Sequence, residues 1–311
     1  MDYTPDQIVV SGGAKQSICN TLLCIIGPGD EVIVPAPYWV SYVEMVKLAE
    51  GVNVIVKAGI DSDFKITPAQ LEAAITPQTR AFILCSPSNP TGSVYSRDEL
   101  EGLAAVLEKY PQVTVISDEV YEHINYVGQH ENITQFAIIK ERVVVVDAVS
   151  KAYAMTGWRI RFIAAPLWIA KACNKLQGQY TSGPSSIAQK ASVAAYNGDQ
   201  ACVAEMREAF QRRRDLIVRL FNEIPGVKLN VPQGAFYIFP AMDAYIGKSA
   251  DGRHINDAAD LAMYLLEVGH VAAVGGVAFG APNCIRLSYA TSDEHIIEAV
   301  RRIKEALAKL I

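Results

Sequence analysis

An α/β fold is predicted for this chain: a large domain with a seven-stranded, mostly parallel sheet between helices, and a smaller α+β domain at the C-terminus. Three features of the sequence predict it. Short β-branched runs alternate with helix-like segments through the first half of the chain. Those runs are continuously apolar, as in strands covered on both faces. Beyond about Pro166 the pattern changes to helices with a few short strands.

In order, the strand candidates are "QIVV", "DEVIVP", "VNVIVK", "RAFILCS", "VTVISD", "RVVVVDA" and "WRIRFIAAP". Between them lie the helix candidates "GAKQSICNTLLCII", "YWVSYVEMVKLAE", "TPAQLEAAI" and "SRDELEGLAAVLEKY". The last opens with Ser96 three residues before Glu99, the spacing of a capping box, in which each side chain satisfies the other's free backbone N–H. After Pro166 come "LWIAKACNKLQGQY", "SSIAQKASVAAYN" and a long charged helix from Asp199 to about Glu223, whose length suits a connection between domains. The remainder holds short strands, "VKLNV", "AFYIFPA" and "CIRLSYA", and two helices, "NDAADLAMYLLEVG" and "DEHIIEAVRRIKEALAKLI". The domain boundaries expected are 1–205 for the large domain and 206–311 for the small one.

A chain of 311 residues, half of them hydrophobic, can bury a large core and suggests two domains. Lysine plus arginine number 28 and aspartate plus glutamate 33, a net charge of −5, so no general positive field would draw it to nucleic acid or an anionic membrane. Small molecules and a second copy of itself are the expected partners. The six cysteines form no CxxC pair and the five histidines do not cluster, which argues against a structural metal or a disulfide framework. Cysteines in apolar segments such as "AFILCS" behave as small buried hydrophobes and point to a reducing compartment, taken as the cytoplasm. The chain has no apolar run long enough to span a bilayer, and "MDYTPDQIVV" lacks the features of a secretory signal.

In an open α/β sheet, ligands bind beyond the carboxyl ends of the strands. The polar residues there form a set. "SGGAKQ" follows the first strand with Gly13, Ala14 and Lys15 at a helix start, where free N–H groups and the helix dipole favour a phosphate, although glycine turns open many helices. "PSNPTG" holds Asn89 between two prolines, in a rigid loop able to aim an amide at a ligand or to serve as an ordinary turn. "DEVYEH" puts Asp118 at a strand end, where it could also cap a helix, with Tyr121 three residues on. "RVVVVDAVS" leads to Ser150 and Lys151, and Arg159 follows in "GWRIRF".

Together these motifs resemble the pyridoxal 5′-phosphate (PLP) aminotransferases of fold type I, the class I/II aspartate-aminotransferase-like family. The similarity runs from "VVSGGAKQ" through "PAPYWVSY", "SPSNPTG", "SDEVYEH" and "SKAYAMTGWRI" to "PNCIRLSYATS". The resemblance implies PLP as cofactor and Lys151 as the lysine that holds it as a Schiff base. It implies that Asp118 pairs with the ring nitrogen, that Tyr121 and Asn89 hydrogen-bond the ring's phenolic oxygen, and that Trp39 stacks on the ring, against the plainer reading of Trp39 as a core aromatic. Gly13, Ala14 and Arg159 would receive the phosphate, with Lys15 either assisting or facing solvent, and Ser150 would be a further cofactor-binding residue. Arg286, an arginine inside an otherwise apolar strand, needs a partner, and by resemblance that is the substrate's α-carboxylate, with Asn89 and Trp39 beside it. Lys151, once released, would move the proton between the substrate's α-carbon and the cofactor as base and then acid.

The chain also departs from the family pattern. The segment that normally precedes "VVSGGAKQ" is expected to be lacking. Asp147 and Ala148 stand where relatives have asparagine-glycine or a serine-containing turn, which would remove a phosphate-binding hydroxyl and add a negative charge near an anionic cofactor. Arg161 replaces the usual glycine after "WRI". Two residues apart on one strand, Arg159 and Arg161 would point the same way, so Arg161 would add a phosphate contact or obstruct one.

The activity implied is transamination between an amino acid, aspartate favoured, and a 2-oxo acid, 2-oxoglutarate, by a homodimer. A PLP-dependent carbon–sulfur lyase on the same fold, or a shortened form with little or no activity, is the alternative. The cation that would select a distal substrate carboxylate is not identifiable from the sequence.

Overall fold

The computed structural model describes residues 2–311, Ala14 by its backbone alone. Seven strands form the main sheet: β1 Ile8–Ser11, β2 Glu31–Ala36, β3 Val52–Lys57, β4 Thr79–Cys85, β5 Thr114–Asp118, β6 Val143–Asp147 and β7 Arg161–Ala164. Their order across the sheet is β1-β7-β6-β5-β4-β2-β3. The β2/β3, β2/β4, β4/β5 and β5/β6 pairs are parallel, whereas β7 runs antiparallel to both β6 and β1. All seven strands expected from the sequence are present.

The helices are α1 Ala14–Ile25, α2 Ser41–Leu48, α3 Pro68–Ala74, α4 Arg97–Glu108, the short turns α5 Ala137–Lys140 and α6 Val149–Ala152, then α7 Leu167–Tyr180, α8 Ser186–Asn197, α9 Ala201–Asn222, α10 Ala258–Gly269 and α11 Asp293–Leu307. The capping box at α4 forms as expected, with Ser96 N–H donating to Glu99 Oε2 at 2.7 Å and Glu99 N–H to Ser96 Oγ at 3.4 Å. A second one, Thr67 with Gln70, opens α3.

The valine run of β6 explains why the strand pattern was continuous. Val144 and Val146 pack with Ile18, Leu22 and Ile169 on one face of the sheet, while Val143 and Val145 pack with Leu103, Leu107 and Ile139 on the other. A strand buried on both faces has no polar side to alternate with. The fold thereby gathers the carboxyl ends of β2, β4, β5 and β6 on one edge, and antiparallel β7 begins there.

A separate core lies beneath α9, α10 and α11, built from Phe210, Phe221, Leu261, Tyr264, Ile285 and Ile303, and it touches the large sheet's edge through Val120, Tyr121 and Ala148. A three-stranded sheet in this part pairs β8 Tyr237–Ile238 with β12 Ile285–Ser288, which pairs in turn with β11 Val274–Gly275; β9 Ser249–Ala250 and β10 Arg253–His254 form a small hairpin.

Two local expectations are corrected. "VKLNV" makes a single bridge, Lys228 to Ala241, instead of a strand. "WRIRFIAAP" is a strand only from Arg161 to Ala164: Thr156–Trp158 is a helical turn, and Arg159 closes it in the left-handed conformation at φ 55°. Arg159 and Arg161 therefore do not share a strand face.

Candidate active site

A cavity of about 280 Å³ opens at the strand-end edge. Its wall includes Lys15, Trp39, Asn89, Asp118, Tyr121, Ser150, Lys151, Arg159 and Arg286, so most of the residues singled out in the sequence, from six different stretches of chain, meet around one space.

Gly13 is the N-cap of α1 at φ 112°, a conformation that side chains rarely adopt. It also has no room for one, since an added Cβ would fall 2.1 Å from an Arg159 guanidinium nitrogen. The first N–H groups of a helix have no partners within it. Among the described residues Arg159 makes only long contacts, to the carbonyls of Thr156 and Gly12 at 3.4 Å each, leaving its fork of donors largely uncommitted beside that helix start. The combination is a cradle for a dianion. Lys15 is exposed, yet its ammonium lies 5.5 Å from the centre of the Trp39 ring at the cavity's rim. Ser150 is buried at the start of α6, where its backbone carbonyl accepts from the Thr156 hydroxyl at 3.1 Å.

Lys151 follows β6 on the single turn of α6, half-buried, with Nζ 5.8 Å from the centre of the Tyr121 ring and 5.6 Å from that of Phe236. Burial, and then the positive charges of Arg161 and Arg286, hold its amine below the ordinary lysine pKa. An amine so placed is more often neutral, and therefore nucleophilic, than one in water.

Asp118 closes β5 and is 3 % exposed. Tyr42 donates its hydroxyl to Oδ2 at 2.7 Å and Arg161 donates to Oδ1 at 3.2 Å. Tyr121 shares a hydroxyl–hydroxyl hydrogen bond with Tyr237 at 3.1 Å, and burial followed by that neighbour keeps its phenol protonated well above the usual range. Asn89 Oδ1 accepts from Arg286 at 2.8 Å, across the join between the large sheet and the C-terminal part. The Arg286 guanidinium stacks 4.5 Å from the Tyr237 ring centre and 4.9 Å from that of Phe279. Among the described residues no carboxylate pairs with it, which leaves a cation facing the cavity without a counter-ion.

Two of the departures take on a different meaning. Asp147 contributes nothing to the cavity wall; its carboxylate turns to the Ala148 N–H at 2.6 Å and the Tyr196 hydroxyl at 3.2 Å. Burial, then repulsion from Glu122, raises its pKa well above the ordinary carboxylate value, which disfavours a charge at this position. Arg161 neither adds to that cradle nor blocks it, because its side chain is directed to Asp118.

Sequence reasoning missed Tyr42, Cys85 and Tyr237. Tyr42 lies one helical turn from Trp39 in "PYWVSY", and that spacing could have marked it. Tyr237 sits in a two-residue strand with no local signal. Cys85 reads as a core residue, and burial does push its thiol up to about 12.

Comparison with known proteins agrees with the sequence reading. The family model described as aminotransferase class I and II matches residues 1–303. The whole chain aligns at 49 % identity with 66 % of the bifunctional aspartate aminotransferase and glutamate/aspartate-prephenate aminotransferase of Petunia hybrida. It aligns at 50 % identity with 78 % of the aspartate/prephenate aminotransferase of Cereibacter sphaeroides. Among solved structures, the aspartate aminotransferase of Rhizobium meliloti superposes on the whole chain with a TM-score of 0.96 at 45 % identity, the chain spanning 78 % of that structure.

Proposed function

Because the chain belongs to the aminotransferase class I and II family, whose enzymes use PLP, we propose that it transfers an amino group from an amino acid to a 2-oxo acid, with aspartate and 2-oxoglutarate as the favoured pair. The observation that carries this reading is the convergence of Lys151, Asp118, Tyr121, Arg159 and Arg286 on one cavity.

The residues present fit the cofactor. The glycine cradle that an added Cβ would fill suits a phosphate, with Arg159 and the first turn of α1, including Ala14 and Lys15, as its donors. Asp118 is the carboxylate for the ring nitrogen, Tyr121 and Asn89 are the donors for the ring's oxygen, and Trp39 supplies a flat apolar wall. PLP, when bound, supplies an aldehyde for the amino group and a ring that withdraws electrons from the substrate's α-carbon.

The chain's own groups do the rest. Lys151 offers an amine held below the ordinary lysine pKa and moves the proton at the substrate's α-carbon. Arg286 grips the α-carboxylate; Asn89, already on its guanidinium, fixes the direction of that grip, and the Tyr237 and Phe279 rings hold it flat. Tyr237 steadies the Tyr121 hydroxyl. Residues 1–205 are assigned to holding the cofactor and 206–311 to presenting Arg286, with α9 running across that division.

The relatives' names support transamination over carbon–sulfur cleavage, and those of Petunia hybrida and Cereibacter sphaeroides add prephenate as an acceptor to be tried. A homodimer in the cytoplasm is the proposed setting. Its supports are the family's habit and six unpaired thiols. No helix among the described residues is long and apolar enough to cross a membrane.

The test is turnover of purified protein with PLP, aspartate and 2-oxoglutarate, followed as oxaloacetate formed. Lys151→Ala is expected to abolish it, and release of a thiol from cystathionine without oxaloacetate formation would favour the lyase instead.

A further inference from the structure

Asp118 is already occupied. Its side chain is 4 % exposed and that of Arg161 3 %, and each carboxylate oxygen has a donor, Tyr42 on one and Arg161 on the other. The topology makes this pairing possible. Ile116 on β5 and Ile163 on β7 lie on the same face of the sheet, and Asp118 and Arg161 each stand two residues from them, so both side chains share that face. Because β7 runs antiparallel, its first residue lies at the edge where β5 ends, and the long arginine side chain reaches past the end of β6.

The pair is not a saturated structural bridge. Its N···O distance of 3.2 Å is longer than the usual charge-assisted bond. The Arg161 Nε is buried and has no hydrogen-bond partner among the described residues. Both Arg161 and Asp118 line the cavity in which Lys151 stands.

We propose that Arg161 is a built-in counter-ion of Asp118 that competes with the cofactor's ring nitrogen for the carboxylate, so that this chain holds PLP with that nitrogen weakly protonated. The inference rests on the PLP reading above. A carboxylate can accept further hydrogen bonds, so the ring nitrogen is not sterically debarred from it. What is lost is the electrostatic incentive: a protonated ring would meet a carboxylate whose charge is already balanced and would sit beside a second cation in a site of low dielectric. Arg161 is thus a positioning residue that acts through Asp118. The ring nitrogen should contribute little to cofactor affinity in the natural chain and much more once the guanidinium is removed.

The experiment compares PLP with 1-deazapyridoxal 5′-phosphate, in which a C–H replaces the ring nitrogen. Both are titrated by tryptophan fluorescence into the cofactor-free natural chain, Arg161→Gly, Arg161→Met and Arg161→Lys, with melting temperatures recorded alongside. The natural chain and Arg161→Lys are expected to bind the two ligands within about threefold of one another. Arg161→Gly and Arg161→Met should prefer PLP by roughly tenfold or more, the size of one recovered charge-assisted contact. A purely structural Arg161 would shift melting temperature and leave this preference unchanged, so an equal preference in all four proteins overturns the inference, as does a strong preference for PLP in the natural chain. Failure of both ligands to bind the natural chain and every variant overturns the PLP reading itself and this inference with it.

Discussion

Asp147 ends a run of four valines, and burial dominates its chemistry: the carboxyl lies near Glu122 and Glu119, takes a hydrogen bond from Tyr196, and has its pKa raised well above the ordinary value. In the unfolded chain the same group ionises near its usual value, about 4. Between that pH and the raised folded value, the unfolded state releases a proton that the folded state keeps, so stability falls as pH rises through this window. Asp147→Asn removes the titration and can keep the bond to the Ala148 N–H. It is expected to be more stable than the natural chain, by a margin that grows with pH from about 5 upward, in urea denaturation at several pH values. A natural chain that gains on the variant as pH rises would contradict the burial argument. At this scale the sequence was informative about residue type and less so about direction. Lys151, Asp118 and Tyr121 were legible only as members of a set at successive strand ends, since each alone has an ordinary reading, and Arg286 as an arginine inside an otherwise apolar strand. The orientations of Asp147 and Arg161 depend on partners, Tyr196 and Asp118, that lie 49 and 43 residues away.

Among the elements, the central strands β5 and β6 were readable because a strand buried on both faces is apolar almost throughout, a constraint written locally, whereas the edge strand β3 was readable from its β-branched residues alone. The start of β7 was not. The stretch "WRIRFIAAP" extends past it on both sides, but β1 offers only Ile8–Ser11 as a partner, and the pairing begins at Ser11 opposite Arg161. The short segments around Gly234 have little signature at all, yet they fasten the two halves. Gly234 and Gln233 donate their N–H groups to the Gly92 carbonyl at 2.9 and 2.8 Å, and Ala235 donates to Ile124 at 2.9 Å. A Cβ on Gly234 would meet Pro87 at 2.6 Å and the Ile124 carbonyl at 2.9 Å. Gly234→Ala is therefore expected to lower stability by about 1–3 kcal/mol, the usual cost of overpacking. Because Pro87 belongs to the loop that aims Asn89 at Arg286, it should also weaken binding of a dicarboxylate inhibitor. Unchanged values in denaturation and inhibitor titration would mean that this junction yields without consequence.

For the whole molecule, the cavity exists only because two cores meet at one sheet edge. The large sheet supplies an amine, a carboxylate and a cradle for an anion; the C-terminal sheet supplies an arginine with no carboxylate partner among the described residues. The division of labour follows from where strands end, which is why a list of polar residues at strand ends anticipated part of the wall. What it could not anticipate was the packing about Arg286 of Tyr237, from the second core, and Phe279, from a small cluster with Phe64 and Phe239. The most direct measurement is borohydride reduction of the protein mixed with PLP, followed by peptide mass mapping. Reduction should fix one cofactor-derived mass on Lys151 and none elsewhere at stoichiometric PLP, and Lys151→Ala should lose that adduct. A cofactor mass spread over surface lysines, or one undiminished in Lys151→Ala, would contradict the placement of the reactive amine in this cavity.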